Sequence, residues 1–184
     1  LVIGGTRFSG LYLVHELLSR GAHVTLLNRG SKSIGDPKLM VPGETDAEFD
    51  ARNARTSLII GDRTNSESIK SALAPYISTF DVVFDNNGRE ADDSAPLIDM
   101  FQRSKTHYVY MSSAGVYAKT ETMPHIEGDQ IDQASRHKGK LNTEDYLRAS
   151  GIPFTAIRPP YISGAGNYNP IEEWFFERLD ENRP

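Results

Sequence analysis

No cysteine occurs among the 184 residues. That excludes a disulfide scaffold, cysteine-ligated zinc, an iron–sulfur site and a cysteine nucleophile. Long apolar runs are missing too: none approaches the roughly 20 residues that a membrane helix needs, so membrane insertion is not expected. Positive charge is in deficit, with 20 Lys and Arg against 25 Asp and Glu and a formal net charge of −5. An acidic chain is a poor general binder of polyanions, so any nucleic-acid contact has to be a local basic patch. Nothing else in the composition is unusual for a globular domain, and the length suits one domain with a well-formed core.

The apolar residues follow two alternating rhythms. Residues 1–4, 24–27, 58–61, 81–85, 107–112 and 153–158 read as short buried strands. Phe8, Leu11, Val14, Leu17 and Leu18 recur at helical spacing and stop at Gly21. Further helices are expected over 66–73, 91–103 and 138–149. Strand–helix alternation predicts an α/β fold: a doubly wound parallel sheet, Rossmann-like, with helices on both faces. The polar stretch 30–56, with Pro37, Pro42 and Gly43, is long for a connection. It reads as a surface excursion with a helix over 46–55, or as a lid or partner-binding loop.

Taken whole, residues 1–184 read as one Rossmann-like domain. Leu1 already stands inside an apolar run, and Ile171, Trp174, Phe175 and Leu179 form an apolar stripe near the other end. A stripe of that kind needs a partner surface. Residues 160–184 are therefore expected to lead into a C-terminal region beyond this chain, which the family resemblance given below implies to be a small substrate domain.

Gly4-Gly5-Thr6-Arg7-Phe8-Ser9-Gly10 joins the first strand to the first helix. That context is what a dinucleotide fingerprint requires. Gly4 suits the tight turn and Gly10 the close helix–strand packing. The spacing resembles that of the extended short-chain dehydrogenases, with Arg7 in the place of the second glycine. An arginine there either obstructs the backbone approach to a pyrophosphate or meets the phosphate itself at the helix N-terminus. The second strand ends at Asn28-Arg29. A carboxylate at this place would bind the ribose 2′-hydroxyl of NAD(H), whereas Asn and Arg suit a 2′-phosphate and favour NADP(H). Asp62 and Arg63 fall where an adenine would be flanked, or form a simple turn. Asn86 and Asn87, before Gly88, fall near the middle of such a cofactor, and are also ordinary turn residues.

In the same dehydrogenase pattern, Ser113 would polarise a substrate carbonyl or hydroxyl. A tyrosine then follows, with a lysine one helical turn beyond it that lowers the phenol pKa for proton transfer. Lys140 matches the lysine. One turn before it stands Arg136, which cannot give up a proton near neutral pH. Ser113 and Lys140 are thus remnants of a dehydrogenase site whose proton-transfer residue is gone. Arg136, His137, Lys138 and Lys140 form a local cationic cluster, either a solvated face or a site for a phosphate backbone. The other histidines, at 15, 23, 107 and 125, show no metal-ligand spacing, and no metal site is expected from the residues. Arg158-Pro159-Pro160, with Gly164 beyond, resembles the turn that covers the nicotinamide side in those enzymes, or is merely a rigid turn.

Five segments carry a more specific resemblance: Gly4 to Phe8, Asn87-Gly88-Arg89-Glu90, residues 112–117, residues 135–140 and residues 167–176. Together they resemble the chloroplast stem-loop-binding protein family, an atypical plastid and cyanobacterial branch of the short-chain dehydrogenase/reductases. The resemblance spans nearly the whole chain and includes both arginine replacements. It implies binding of stem-loop RNA, in which Arg136, His137 and Lys138 would take part. It also implies a metal-dependent endoribonuclease activity, a divalent metal as cofactor, and assembly into oligomers or larger ribonucleoprotein complexes. The location it implies is the chloroplast stroma or the cyanobacterial cytoplasm. Three functions follow: an RNA-binding and RNA-processing protein on a nucleotide-binding scaffold, an NADP-dependent oxidoreductase or sugar-nucleotide epimerase, or a non-catalytic NAD(P)-binding scaffold.

Overall fold

The computed structural model describes residues 1–167 and 171–183, with only the backbone of residue 171. Six parallel strands form one sheet: β1 (Val2–Ile3), β2 (Val24–Asn28), β3 (Thr56–Ile60), β4 (Val82–Asp85), β5 (His107–Met111) and β6 (Phe154–Ile157), in the order β3-β2-β1-β4-β5-β6. The helices are α1 (Phe8–Ser19), α2 (Asp46–Asn53), α3 (Ser66–Leu73), α4 (Ala91–Phe101), α5 (Lys138–Ser150) and α6 (Ile171–Asp180). This is the doubly wound α/β fold expected from the sequence. The order in which strands are added reverses between β1 and β4, which opens a crevice at the carboxyl ends of the strands.

Period-two alternation in the strands divides the core between the two faces. Val2, Val24 and Leu26 pack with Val14 and Leu18 of α1. Ile3, Leu27, Val83, Tyr108 and Tyr110 pack with Ile69 and Leu73 of α3, Leu97, Ile98 and Phe101 of α4 and Leu147 of α5. The central strands are buried on both faces as their apolar runs predict. The edges depart from that pattern: Ile60 at the end of β3 and Ile157 at the end of β6 are exposed, because an edge strand has less covering it.

Residues 30–56 hold a folded excursion with a small core of its own. Leu39, Val41 and Phe49 pack on Leu11 of α1. Thr45 and Glu48 form a reciprocal capping box that starts α2. Arg52 of α2 is buried, pairs with Glu44 at 2.7 Å and donates to the Leu39 carbonyl at 2.9 Å. The stretch therefore has a packed anchor, which long connections usually lack. The expected helix at the far end is α6, but Trp174, Phe175 and Leu179 are exposed on it. Tyr168, Asn169, Pro170 and the Ile171 side chain, which contribute to the last family-like segment, lie outside the described residues.

Helix α1 can start so close to β1 only because Gly10 has no side chain. A Cβ there would overlap the Gly4 carbonyl oxygen, a backbone atom that cannot turn aside. Gly10→Ala is expected to lower unfolding free energy by about 1–3 kcal/mol in chemical denaturation, the usual cost of overpacking. Gly128→Ala, where nothing lies within 4 Å, should change stability by less than about 0.5 kcal/mol.

Candidate functional site

The carboxyl ends of all six strands open into one cleft of about 1100 Å³, at the upper end of small-molecule sites. Gly4, Thr6, Arg7 and Phe8 of the glycine loop line it, as do Asn28, Arg29, Asp62, Arg63, Asn86, Asn87, Ser113 and Lys140. Gly5 and Gly10 are set back from the cleft. A Cβ at Gly5 would come within 2.7 Å of Leu26 and 2.9 Å of Val14, so this glycine serves helix–sheet packing. Gly4 has φ +78, and a Cβ there would press on the Asn87 side chain at 3.1 Å. The loop is thus held at its tightest point by glycines that no other residue replaces without strain.

Beneath the cleft lies a buried carboxylate. Asp85, the last residue of β4, accepts five hydrogen bonds. Two come from the Arg63 guanidinium at 2.7 and 3.0 Å, and the others from Gly88 N at 3.1 Å, Ser94 Oγ at 2.6 Å and Tyr108 Oη at 2.9 Å. Burial pushes the Asp85 carboxyl up, but the Arg63 charge and these donors outweigh it and hold it below its ordinary value. Arg63 also donates to the Asn87 side-chain oxygen and to the Asp93 carbonyl. Its guanidinium is therefore turned inward. Arg63 still lines the cleft, and it also serves a structural role, because a buried carboxylate demands a cation. Asp62 is engaged locally, accepting from the Thr64 N–H and hydroxyl at 3.0 and 2.8 Å. Asn28 likewise makes a local turn, accepting from Gly30 N at 2.7 Å.

A second carboxylate network anchors the far wall. Glu144 of α5 is buried and accepts from Ser112 at 2.5 Å and Arg158 at 2.5 and 2.9 Å. Arg148 adds a bond at 3.0 Å. Burial again pushes Glu144 up, and Arg158, Ser112 and Arg148 bring it below its ordinary value. Arg158 thus ties β6 to α5.

The remaining cleft cations have a different status. Arg7, Arg29, Lys32 and Arg89 line the cleft and, among the described residues, make no ion pair. Lys32 and Arg89 were not singled out in the sequence as site residues. Lys32 hides in the polar excursion and Arg89 in a loop after Asn87. Arg7 stands at the N-cap of α1 without capping it, and no acidic residue occupies the helix's first turn. The positive end of the helix dipole is therefore unneutralised and faces the cleft beside a guanidinium. Asn86 Nδ2 is buried and has no hydrogen-bond partner. It is an unused donor on the same wall. These features fit a nicotinamide dinucleotide: a helix N-terminus and Arg7 for phosphates, Arg29 and Lys32 for an anionic end, and Asn86 for a polar group between.

Where a dehydrogenase would carry its tyrosine, helix α5 begins later than the family spacing suggests. Lys138 is its first residue and His137 its N-cap, so Arg136 precedes the helix. Arg136 is exposed and not part of the cleft wall, whereas His137 is. The Arg136 Nε–H donates to His137 Nε2 at 3.1 Å, which requires that nitrogen to be unprotonated. Burial lowers the His137 pKa from its ordinary value, and the charges of Arg136 and Lys140 lower it further. Lys138 is exposed. Lys140 points inward and donates to the Met111 carbonyl at 2.6 Å. Ser113 lines the cleft and accepts from Gly115 N at 3.1 Å. The buried tyrosines nearby are unavailable: Tyr110 donates to the Gly88 carbonyl, Tyr108 donates to Asp85, and burial raises both hydroxyl pKa values. Tyr161, on the loop after β6, lines the cleft but is 81% exposed. Among the described residues, no group of three or more His, Asp or Glu side chains comes together to hold a metal ion.

A family described as NAD(P)H-binding matches residues 4–172. The chain belongs to the NAD(P)H-binding family. Its cleft is the place where members of such a family take their cofactor, at the switch point of the sheet. Among curated relatives, the chloroplast stem-loop binding protein of 41 kDa b of Arabidopsis thaliana is 46% identical over all 184 residues. The chain spans 47% of that relative's length. The resemblance drawn from the motifs therefore extends along the whole chain. Among solved structures, the Bordetella bronchiseptica enzyme WbmH in complex with NAD+ superposes with a TM-score of 0.72 at 17% identity, covering 99% of this chain and 62% of that one. The Thermus thermophilus UDP-glucose 4-epimerase complex with NAD gives 0.71 at 17% identity, covering 100% and 63%. At such identities the two share the fold of this family member.

The Asp85 and Glu144 networks predict acid sensitivity. A carboxyl held below its unfolded pKa contributes stability that is full above the unfolded value and is lost as pH falls through the folded one. Urea unfolding should thus show stability declining below the ordinary carboxylate range. Arg63→Ala strands a buried carboxylate and is expected to cost about 3–5 kcal/mol at neutral pH. In that variant the acid-induced decline attributable to Asp85 should shrink.

Proposed function

We propose that the chain is an NADP(H)-binding module of a plastid protein that binds structured RNA and does not carry out standard dehydrogenase turnover. The observation that carries the reading is the pairing of a retained dinucleotide cleft with a position normally held by tyrosine that holds Arg136 and His137 instead. Unpaired Arg29 and Lys32 beyond β2 supply charge for a 2′-phosphate, where a carboxylate would have selected NAD(H). The bound dinucleotide brings a hydride-carrying nicotinamide. This chain's residues bind and orient it: Arg7 and the α1 N-terminus hold phosphates, and Asn86 donates from the wall. The nicotinamide end would lie toward Ser113 and Lys140. There, Ser113 can donate its hydroxyl hydrogen, but one helical turn before Lys140 stands Arg136 instead of a tyrosine, and among the described residues Tyr161 is the tyrosine on the cleft lining, exposed at the rim.

RNA binding is supported by the name of the 46%-identical relative, a stem-loop binding protein. The residues proposed for it are Arg136, His137 and Lys138, together with Lys140 at the cleft edge. The relative is chloroplastic by name, and no helix among the described residues is long and apolar enough to cross a membrane. Metal-dependent RNA cleavage and assembly into ribonucleoprotein complexes belong to the same reading. An oxidoreductase or epimerase reading draws on Ser113 and Lys140, which keep their places on the wall. It requires NADPH consumption or epimerisation with a sugar nucleotide, and the absence of either leaves the binding module.

At a hundredfold excess over Kd, NADP+ is expected to stabilise the fold by about 2.7 kcal/mol. For a chain of this size that raises Tm by roughly 5–10 °C. Combined Arg29→Ala and Lys32→Ala should weaken NADP+ about tenfold, the equivalent of one charge-assisted contact, and NAD+ much less. Equal losses for both cofactors in calorimetric titration would count against the 2′-phosphate assignment. Anisotropy with a labelled stem-loop RNA should show binding that weakens steeply with salt. Combined Arg136→Ala and Lys138→Ala should reduce it.

A further inference from the structure

The cationic cluster on which RNA binding would rest is smaller in the fold than in the sequence. His137 already accepts a hydrogen bond from Arg136, and nearby charges keep its pKa low. Lys140 is committed to the Met111 carbonyl. Arg136 and Lys138 are left as exposed cations. Backbone binding gains with each phosphate neutralised, and a protein making about 6–10 such contacts shows the steep salt dependence of nucleic-acid binders, which two side chains alone do not supply. The next available charges lie along the cleft. Arg89 is exposed, and its carbonyl packs against the position of Gly139, between Lys138 and Lys140. Across the opening stand Arg7, Arg29 and Lys32, all without ion-pair partners among the described residues. On a chain of net charge −5, the carboxylates among these cations, within the described residues, are Asp62 and Glu172 on the cleft lining and Glu90, which packs against Gly139.

We infer that the rim of the dinucleotide cleft is itself the RNA-phosphate site, so that NADP(H) and structured RNA exclude one another. This rests on the reading of the preceding subsection that both ligands bind. Phosphate groups of either ligand seek Arg7, Arg29, Lys32 and the α1 N-terminus. A group that holds the dinucleotide's phosphates is then lost to the RNA. Arg136 and Lys138 lie outside the cleft and serve RNA alone. By linkage, each ligand weakens the other by the same factor.

The test is anisotropy of a labelled stem-loop RNA at constant ionic strength, with NADP+ at increasing concentration and its own Kd known from calorimetry. With NADP+ at a hundred times its Kd, the apparent RNA Kd should rise by up to about a hundredfold. RNA should raise the apparent Kd of NADP+ in return. Arg29→Ala with Lys32→Ala should weaken both ligands and lower the salt slope for duplex RNA by about 2. Lys138→Ala should weaken RNA and leave NADP+ unchanged, a split that a loss of folding would not produce. An RNA Kd that stays constant at saturating NADP+ overturns the inference and leaves the proposed function standing. RNA binding that requires NADP+ likewise overturns the inference alone, whereas a protein that binds no stem-loop under either condition, or no NADP+, overturns the proposed function and this inference with it.

Discussion

One ionised carboxylate at the end of the central strand β4 organises the site. Asp85 is fully buried, and a bare charge there would be prohibitively costly. Its five hydrogen bonds meet that cost by drawing in Arg63 from beyond β3, Ser94 from α4, Tyr108 from β5 and the Gly88 backbone. Arg63 in turn steadies Asn87 beside the glycine loop. The floor of the cleft is thus set by electrostatic necessity. Gly88 shows how tightly: a Cβ there would overlap the Ser94 hydroxyl and come within 2.9 Å of Arg63.

Above that floor the charge distribution reverses the character of the whole chain. Acidic residues predominate, yet the cleft concentrates cations, several of them without partners. A low-dielectric wall strengthens the field of such groups. Arg7 is the clearest case. It occupies the usual place of a glycine, with an extended backbone (φ −149, ψ 146) that an arginine adopts without strain. The replacement costs the loop no backbone energy and gives it a guanidinium at a helix N-terminus.

The catalytic side has moved the other way. Ser113, Lys140 and His137 stand on the cleft wall, and the tyrosines nearby are locked into the core or placed on the rim. Glu144 ties the wall together through Ser112 and Arg158. One turn before Lys140 stands Arg136, where the dehydrogenase pattern has a tyrosine. Binding and catalysis depend on different side chains of one fold, so the two are separable in such a scaffold.

Much of the fold was legible because its periodicities are local. Apolar runs mark the strands, and Thr45 with Glu48 announces the helix inside the polar excursion. The glycine loop was legible because only glycine fits where Gly4 turns and Gly10 meets the Gly4 carbonyl. The partners of charged side chains were not legible, since they come from distant segments. Nothing local says that Arg63 turns toward Asp85, or that His137, not Arg136, stands on the wall, although the start of α5 at Lys138 was legible. Lys32 and Arg89 were ordinary loop cations until the sheet brought them to one opening. The sequence by itself determined the strand–helix order, the glycine loop between the first strand and helix, and the lack of a tyrosine one turn before Lys140. Only the tertiary structure decided which cations are spent on buried carboxylates and which remain for a ligand, because that depends on distances between residues far apart along the chain.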